Sequence, residues 1–317
     1  MNPPYLKQGS YHNPNGIGLQ PQDNLPAGPE EGMEMYPVFS QATLLPHPLG
    51  VDIDACIKGG VKAVELWLTK AEDHLKSHTA AELAKVFSDA GIRIEAASYQ
   101  GGLLGGTPES RASHQDHYKR RLDLCQALGI PILGLLPDLA PTGGRSAGER
   151  VNEGLVAAFL EELGTAADWA DAYGVKLALS FRAECPLPTN LQTAIALVEA
   201  AERPNLGLAL DCFPFFNGPS KTEELGLILP GKLFLVRLCD MASTLRELAR
   251  ESDTILPGDG DWPLASMIQR LKEKGYAGPV SVEVRNPKLW QVKPSQLAEL
   301  AWSSVLRLLG QKEEISN

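Results

Sequence analysis

The chain has 317 residues, of which 44% are hydrophobic and 21% are charged, and this length allows one large α/β domain or two small ones. Its net charge of -10 argues against binding to a phosphate backbone, and no apolar run approaches the ~20 residues of a membrane helix. The sequence shows no signal-peptide pattern, and its five cysteines form no CxxC pair. We therefore expect a cytoplasmic protein with reduced thiols and with neither a nucleic acid nor a membrane as partner.

Residues 1–32 are rich in Pro, Gly, Asn and Gln and have no apolar periodicity, which predicts an irregular N-terminal extension. After it, strand-like runs alternate with helix-like runs. The eight predicted strands are Tyr36–Gln41, Ala63–Trp67, Ile92–Ser98, Ile132–Leu136, Lys176–Ser180, Leu206–Asp211, Leu233–Leu238 and Val280–Val284. The helical patterns between them include Thr79–Ala90, Arg111–Leu128, Glu149–Tyr173, Leu191–Glu202 and Leu264–Lys274.

Eight strands that alternate with helices predict a single (β/α)8 TIM barrel of the α/β class. We place the barrel at residues 33–312 and a short tail at residues 313–317. A doubly wound open sheet is the alternative fold. Such a sheet usually has fewer strands, and the first strand-to-helix turn of this chain lacks the GxGxxG phosphate loop.

Alternation along the predicted strands indicates which polar side chains point into the barrel. Side chains of a strand face opposite sides in turn, and the bulky face of each strand should pack on the outer helices. Five strands then end with a polar residue on the inner face, namely Glu65, Ser180, Asp211, Arg237 and Glu283. TIM barrels carry their chemistry at the C-terminal mouth. The five strand ends therefore predict a functional site there.

Several segments of this chain resemble one known group of TIM barrels. They are Ala63–Trp67, Ala97–Gly102, Leu210–Lys221, Val236–Asp240, Leu256–Asp261 and Ser281–Pro287. With them, roughly residues 36–310 resemble the xylose isomerase-like TIM-barrel superfamily, the sugar phosphate isomerase and epimerase group. Its members include sugar isomerases and epimerases, inosose dehydratase, 3-dehydroshikimate dehydratase and, more distantly, endonuclease IV. The combination of segments is specific for the superfamily and does not identify a substrate.

The resemblance implies one divalent metal, held by a Glu ending the fifth strand, an Asp ending the sixth, a His or Gln on the seventh and a Glu on the eighth. Asp211 and Glu283 match this pattern. Ser180 and Arg237 replace the other two ligands, and Pro214 replaces a His of the sixth-strand motif. Because a guanidinium only donates hydrogen bonds, we expect Arg237 to fork onto Asp211 and Glu283 in place of the metal. No cofactor is then expected; a divalent metal (Mn, Mg, Zn or Co) at Asp211 and Glu283 is the alternative.

The predicted catalytic residues are Glu283 and Asp211 as acids and bases, Arg237 as the group that holds a substrate oxygen, and Glu65 or His47 in support. The predicted substrate-binding residues are Gln100, Ser180, Arg182, Lys221, Arg246 and Trp290. Further candidates around the mouth are Asp138, Glu184 and Arg285.

The favoured function is an isomerase, an epimerase or a lyase that transfers a proton next to the carbonyl of a small sugar-like or keto-acid substrate, without needing a metal. The alternative is a catalytically inactive family member that binds a sugar-like ligand or a protein partner. An endonuclease IV-like enzyme needs a cluster of histidines and a basic face, but all six histidines precede residue 118. The sequence leaves the formation of a homo-oligomer open.

Overall fold

The computed structural model describes residues 34–103, 108–137, 152–242 and 245–312. The predicted extension at residues 1–32, the tail at residues 313–317 and the candidate Asp138 lie outside the described residues. Within the described ranges, no helix combines the length and the apolar composition that crossing a bilayer requires.

Eight parallel strands close into a barrel in which each strand pairs with the next along the chain and the last pairs with the first. The strands are β1 (Tyr36–Ser40), β2 (Ala63–Trp67), β3 (Arg93–Gln100), β4 (Ile132–Leu135), β5 (Lys176–Leu179), β6 (Leu206–Asp211), β7 (Leu233–Leu238) and β8 (Pro279–Val282). The predicted TIM barrel is confirmed, and the open sheet is wrong because closure leaves no free edge.

Helices follow the strands and pack on the outside of the barrel. They are α1 (Leu49–Lys58), α2 (Leu68–His74), α3 (Ala80–Asp89), α4 (Pro108–Ala127), α5 (Glu153–Asp171), α6 (Leu191–Ala200), α7 (Cys212–Asn217), α8 (Leu264–Glu273) and α9 (Pro294–Leu309). Local chemistry sets their ends. At the start of α3, the Thr79 hydroxyl accepts from the Glu82 amide at 3.2 Å while the Glu82 carboxylate accepts from the Thr79 amide at 2.7 Å, which is a capping box.

The inside of the barrel holds a small apolar cluster of its own, distinct from the larger core between strands and helices. Its members are Ala96, Ile132, Ala178, Ala209, Phe234 and Leu235. Ala209 lies two residues before Asp211, and Leu235 lies two residues before Arg237. Residues two apart on a strand share a face, so the polar strand ends point inward above this cluster.

Asp240 anchors the loop that runs from β7 to α8 across the C-terminal end of the barrel. This buried carboxylate accepts from the amides of Gly258 at 2.9 Å, Trp262 at 3.1 Å and Met241 at 2.8 Å. Its backbone also forms an antiparallel bridge with Ile255. Because several amides converge on one carboxylate, the loop has a fixed path next to the site.

Candidate active site at the C-terminal mouth

The structure brings the five polar strand ends together in two groups. Glu65 and Arg237 form an ion pair, called here the buried pair, with side chains 0% and 1% exposed. The Ser180 hydroxyl accepts from Arg237 Nη1 at 3.4 Å. Asp211 and Glu283, called here the cavity pair, line a cavity of about 10 Å³. The convergence expected from strand alternation is therefore present.

Arg237 reaches from β7 across the barrel interior to β2. Its Nε and Nη2 donate to Oε1 of Glu65 at 2.8 and 2.7 Å. The predicted fork onto Asp211 and Glu283 is therefore wrong, although Arg237 Nε lies 3.7 Å from Oε2 of Glu283. A buried guanidinium is stable only next to a negative charge, and the Arg237 side chain is long enough to reach the Glu65 carboxylate on β2.

The room for the guanidinium comes from Gly134, on β4. A Cβ atom at this position would lie 2.5 Å from Nη2 of Arg237 and 3.6 Å from its Cζ. The ring of Tyr99 covers the group, with Cζ 4.3 Å from the ring centroid. Such a desolvated cation–π contact contributes on the order of 2 kcal/mol. The missing side chain, the aromatic ring and Glu65 together fix the position of Arg237.

Glu283 is held as an anion by three hydrogen bonds. Oε2 accepts from the Ser40 hydroxyl at 3.0 Å, and Oε1 accepts from the Tyr99 hydroxyl and from Arg285 Nη2, both at 2.8 Å. Burial by itself raises the pKa of this carboxyl. The charges of Arg285 and Arg237 and the two hydroxyl donors outweigh burial and hold the pKa below its ordinary value. An arginine is thus the partner of Glu283, as predicted, but the hydrogen-bonded one is Arg285.

Asp211 has the opposite environment. It ends β6, and its carboxylate accepts from the Phe213 amide at 3.0 Å at the start of α7. Burial, followed by the negative charge of Glu283, raises the pKa of Asp211 to about 6. Arg237 and Arg182 act against this rise, and Glu251 adds to it. Asp211 therefore exchanges a proton near neutral pH, whereas Glu283 stays ionised.

A wider cleft of about 310 Å³ lies beside the small cavity. Arg182, Glu184, Pro214 and Arg250 are among its lining residues. Phe213 and Glu251 line both the cleft and the cavity around Asp211 and Glu283, so the two spaces are adjacent at these two side chains.

Arg182, predicted to bind substrate, follows β5 and borders the cleft. Its Nη2 lies 2.7 Å from Oε1 of Glu251. Glu251 lies in a short 3-10 turn after β7, and its Oε2 accepts from Arg285 Nη1 at 2.8 Å. Since Arg285 also binds Glu283, a continuous chain of ion pairs joins the cleft to the cavity pair.

Two of the predicted residues lie close to the barrel wall. Gln100 ends β3 and is 1% exposed, with its Nε2 donating to the Gly101 carbonyl at 2.6 Å. Trp290 donates from Nε1 to the Thr43 carbonyl at 3.2 Å, which packs the indole over the turn after β1. Neither residue is among those that line the cavity around Asp211 and Glu283. Their role in substrate binding stays a prediction.

His47, Lys221 and Arg246 lie in loops at the same end of the barrel. His47 is half-buried in the turn that follows β1, and Lys221 is exposed just before a 3-10 turn. Arg246 is exposed and donates to the carbonyl of Phe216. None of the three is among the residues lining the described cavity or cleft, so their catalytic and binding roles stay predictions.

Three residues of the site were not predicted from the sequence: Ser40, Tyr99 and Glu251. Ser40 ends β1, so the alternation applied to the other strands would have placed its hydroxyl at the mouth. Tyr99 is next to last on β3, where the register with β4 is irregular, so simple alternation does not predict the direction of its side chain. Glu251 lies in a loop without periodicity, and the sequence carries no signal that places its side chain.

Residues 53–307 match the family described as xylose isomerase-like TIM barrel, and the chain belongs to that family. The resemblance noted from the sequence is thereby confirmed. The match runs from within α1 to within α9 and includes seven of the eight strands, from β2 to β8.

Curated relatives add a class of reaction. An inosose isomerase of Halalkalibacterium halodurans is 29% identical over 278 residues, which cover 86% of this chain and 95% of that protein. An inosose isomerase of Bacillus subtilis is 26% identical over 270 residues, covering 83% and 94%. A 3-dehydroshikimate dehydratase of Pseudomonas aeruginosa is 24% identical over 208 residues, covering 65% of this chain and 31% of that protein. These similarities support a sugar isomerase-like enzyme.

Solved structures show the same architecture. The IolI protein, whose structure contains a zinc atom, has a TM-score of 0.80 and 25% identity and covers 87% of this chain and 98% of its own. D-psicose 3-epimerase, crystallised in the presence of D-fructose, has a TM-score of 0.66 and 20% identity, covering 87% and 100%. The second likeness extends to the fold alone.

The residues of this chain do not fit a divalent metal of the family type. Both oxygens of Glu283 already accept hydrogen bonds, and the Arg237 and Arg285 guanidinium groups lie 3.7 and 2.8 Å from them. At about 4 Å and an effective dielectric near 20, a dication and a guanidinium repel by roughly 8 kcal/mol. Among the described residues, no three His, Cys, Asp or Glu side chains are grouped to hold a metal ion. The donors of this site are arranged for a cation that is already present.

The contact between Gly134 and Arg237 yields a stability prediction. Gly134→Ala places a methyl group against the guanidinium, so we expect the free energy of unfolding to fall by about 1–3 kcal/mol in urea denaturation. Gly50→Ala is the control, since its Cβ, on α1, meets nothing within 4 Å. The control should be unchanged or more stable. Equal stability of Gly134→Ala and wild type would show that the guanidinium lies elsewhere.

The environment of Asp211 yields a second prediction. Carbon-13 NMR of the aspartate carboxyls should find two groups with raised pKa values, Asp52 at about 7 and Asp211 at about 6, and the second should disappear in Asp211→Asn. Glu251→Gln removes a negative charge that raises the pKa of Asp211, so the value should fall in that variant. Glu184→Gln lines the same cleft and should leave it unchanged. A pKa near 4 in the wild type would contradict the described burial of Asp211.

Proposed function

We propose that this protein is a sugar isomerase that exchanges the carbonyl and hydroxyl positions of neighbouring carbons in a small polyhydroxylated ketone of the inosose class. The cavity pair carries the proposal, because Asp211 and Glu283 face one cavity and have opposite pKa shifts. Two titratable groups separated in this way are the usual arrangement for acid–base catalysis. The inosose isomerases among the relatives support the substrate class.

Asp211 is the proton carrier in this proposal. With a pKa of about 6 it is mostly ionised at neutral pH and accepts the proton from the carbon next to the ketone. The electrons of that C–H bond form the double bond of an enediolate, and the π electrons of the ketone move onto its oxygen. Asp211 then returns the proton to the former carbonyl carbon, while the hydroxyl proton moves to the neighbouring oxygen. Atoms and charge balance without a redox partner.

Arg285 is the donor for the oxygen that becomes negative during proton transfer. It lines the cavity, and its buried Nε has no hydrogen-bond partner among the described residues. A prearranged donor of this kind typically accelerates such a step by about 10²–10³-fold. Glu283 fixes the orientation of Arg285 through the 2.8 Å hydrogen bond. Arg237 and Glu65 lie beneath them as positioning residues.

We further propose that this reaction needs no divalent metal, because guanidinium groups supply the positive charge next to the cavity pair. Activity towards an inosose should stay within about twofold after dialysis against a chelator. Addition of Zn²⁺ or Mn²⁺ should not raise it. Loss of activity on dialysis with recovery on adding metal would contradict this part of the proposal.

A catalytically inactive, ligand-binding protein is the second candidate. The small size of the described cavity favours it, since about 10 Å³ accommodates one water molecule and no sugar. The two candidates differ in one observable. The isomerase catalyses exchange of the substrate's carbon-bound hydrogen with deuterium, and the binding protein does not.

The test of the isomerase is proton exchange in D₂O, followed by NMR of an inosose. The wild type should exchange the hydrogen next to the ketone, at a rate that falls as the pH drops through about 6, because protonated Asp211 cannot accept a proton. Asp211→Asn should lower the rate by about 10²–10⁴-fold. Asp54→Asn, on the exposed face of α1, is the matched control and should leave it unchanged. Absence of exchange by the wild type would favour the second candidate.

A further inference from the structure

The carboxylate of Glu251 lies between two arginines from different parts of the barrel. Oε1 is 2.7 Å from Nη2 of Arg182, after β5, and Oε2 is 2.8 Å from Nη1 of Arg285, after β8. Each carboxylate oxygen of Glu251 is therefore paired with one guanidinium. Two guanidinium groups in this arrangement can bind the carboxylate of a protein side chain or that of a ligand.

Among Arg182, Arg285, Glu283 and Glu251, the side chain of Glu251 is the most exposed. Its side chain is 31% exposed, compared with 18% for Arg182, 19% for Arg285 and 7% for Glu283. With Glu251, the site groups four carboxylates around three guanidiniums; the carboxylates are Glu65, Asp211, Glu251 and Glu283, and the guanidiniums are Arg182, Arg237 and Arg285. Without Glu251 the charges balance.

The position of Glu251 matches an exchangeable occupant. It lines both the cleft of about 310 Å³ and the cavity of about 10 Å³. Rotation of its side chain away from the two guanidinium groups would leave Arg182 and Arg285 unpaired on this side, where both spaces meet.

Arg285 retains a further unused donor. Its Nε is buried and has no hydrogen-bond partner among the described residues, although the rest of its guanidinium binds Glu251 and Glu283. A buried N–H without a partner destabilises the protein. An oxygen atom of a ligand in the cavity would supply the missing hydrogen bond.

We infer that Arg182 and Arg285 form a subsite for a carboxylate group of the substrate, and that Glu251 occupies this subsite in the free protein. The inference rests on the proposed isomerisation at Asp211 and goes beyond the inosose class, because it assigns to the same site a polyhydroxylated ketone that bears a carboxylate. The substrate carboxylate replaces that of Glu251 between the two arginines. Its carbon chain then extends past Arg285 to Asp211 and Glu283.

Removal of Glu251 tests the inference by binding alone. Calorimetry compares D-glucuronate, neutral D-glucose and D-glucose 6-phosphate, which differ at one carbon. In Glu251→Ala, D-glucuronate no longer competes with an internal carboxylate, so its affinity should rise about tenfold, while that of D-glucose stays the same. Glu199→Ala, at an exposed position of α6 outside the cleft and the cavity, should change neither. Adding Arg182→Leu to Glu251→Ala should abolish the gain.

Three results would overturn the inference: no gain for D-glucuronate, an equal gain for D-glucose, or a gain confined to D-glucose 6-phosphate. The second would mean that the substitution only widens the cleft, and the third that the pair selects phosphate. Melting temperatures show whether each variant is folded, and Glu251→Gln, which keeps the size of the side chain, repeats the test. Because binding needs no turnover, failure here is distinct from failure of the deuterium-exchange test with Asp211→Asn.

Discussion

The site depends on one buried cation. The Arg237 guanidinium is 1% exposed in the barrel interior, where an ionised group is stable only next to an opposite charge. Glu65 supplies that charge from the opposite wall, Gly134 leaves the space, and Tyr99 covers the remaining face. With Arg237 fixed there, a positive charge already lies 3.7 Å from the Glu283 carboxylate.

The cavity above takes its chemistry from this arrangement. The charges of Arg285 and Arg237 hold Glu283 as an anion against the effect of burial, whereas burial and the charge of Glu283 raise the pKa of Asp211. The two carboxyl groups therefore have opposite pKa shifts, although both line the same cavity. Glu251 continues the network outward to Arg182 and the cleft. A chain of ion pairs thus joins Glu283, at the barrel mouth, to Arg182 at the cleft.

Much of this followed from the sequence, and the missing parts have a physical explanation. The alternation of strands with helices along the chain predicted the barrel. The alternation of side chains along each strand, which is a local property, predicted that Glu65, Asp211 and Glu283 point inward. The partner of Arg237 depends on a long side chain crossing the interior and on the absence of a side chain at Gly134, and both depend on closure of the barrel. Glu251 lies in a short 3-10 turn after β7, and its side chain is placed by contacts with Arg182 and Arg285, which follow β5 and β8. Tertiary contacts of this kind have no local pattern.

The most direct test of the central claim is a titration with Mn²⁺, followed by electron paramagnetic resonance, of protein freed from metal. We predict no stoichiometric Mn²⁺ binding by the wild type. The double variant Ser180→Glu with Arg237→Gln should bind Mn²⁺, because it removes the guanidinium and adds two oxygen ligands beside Asp211 and Glu283. One Mn²⁺ bound per wild-type chain, with binding lost in Asp211→Asn, would contradict the claim that Arg237 stands in place of the metal.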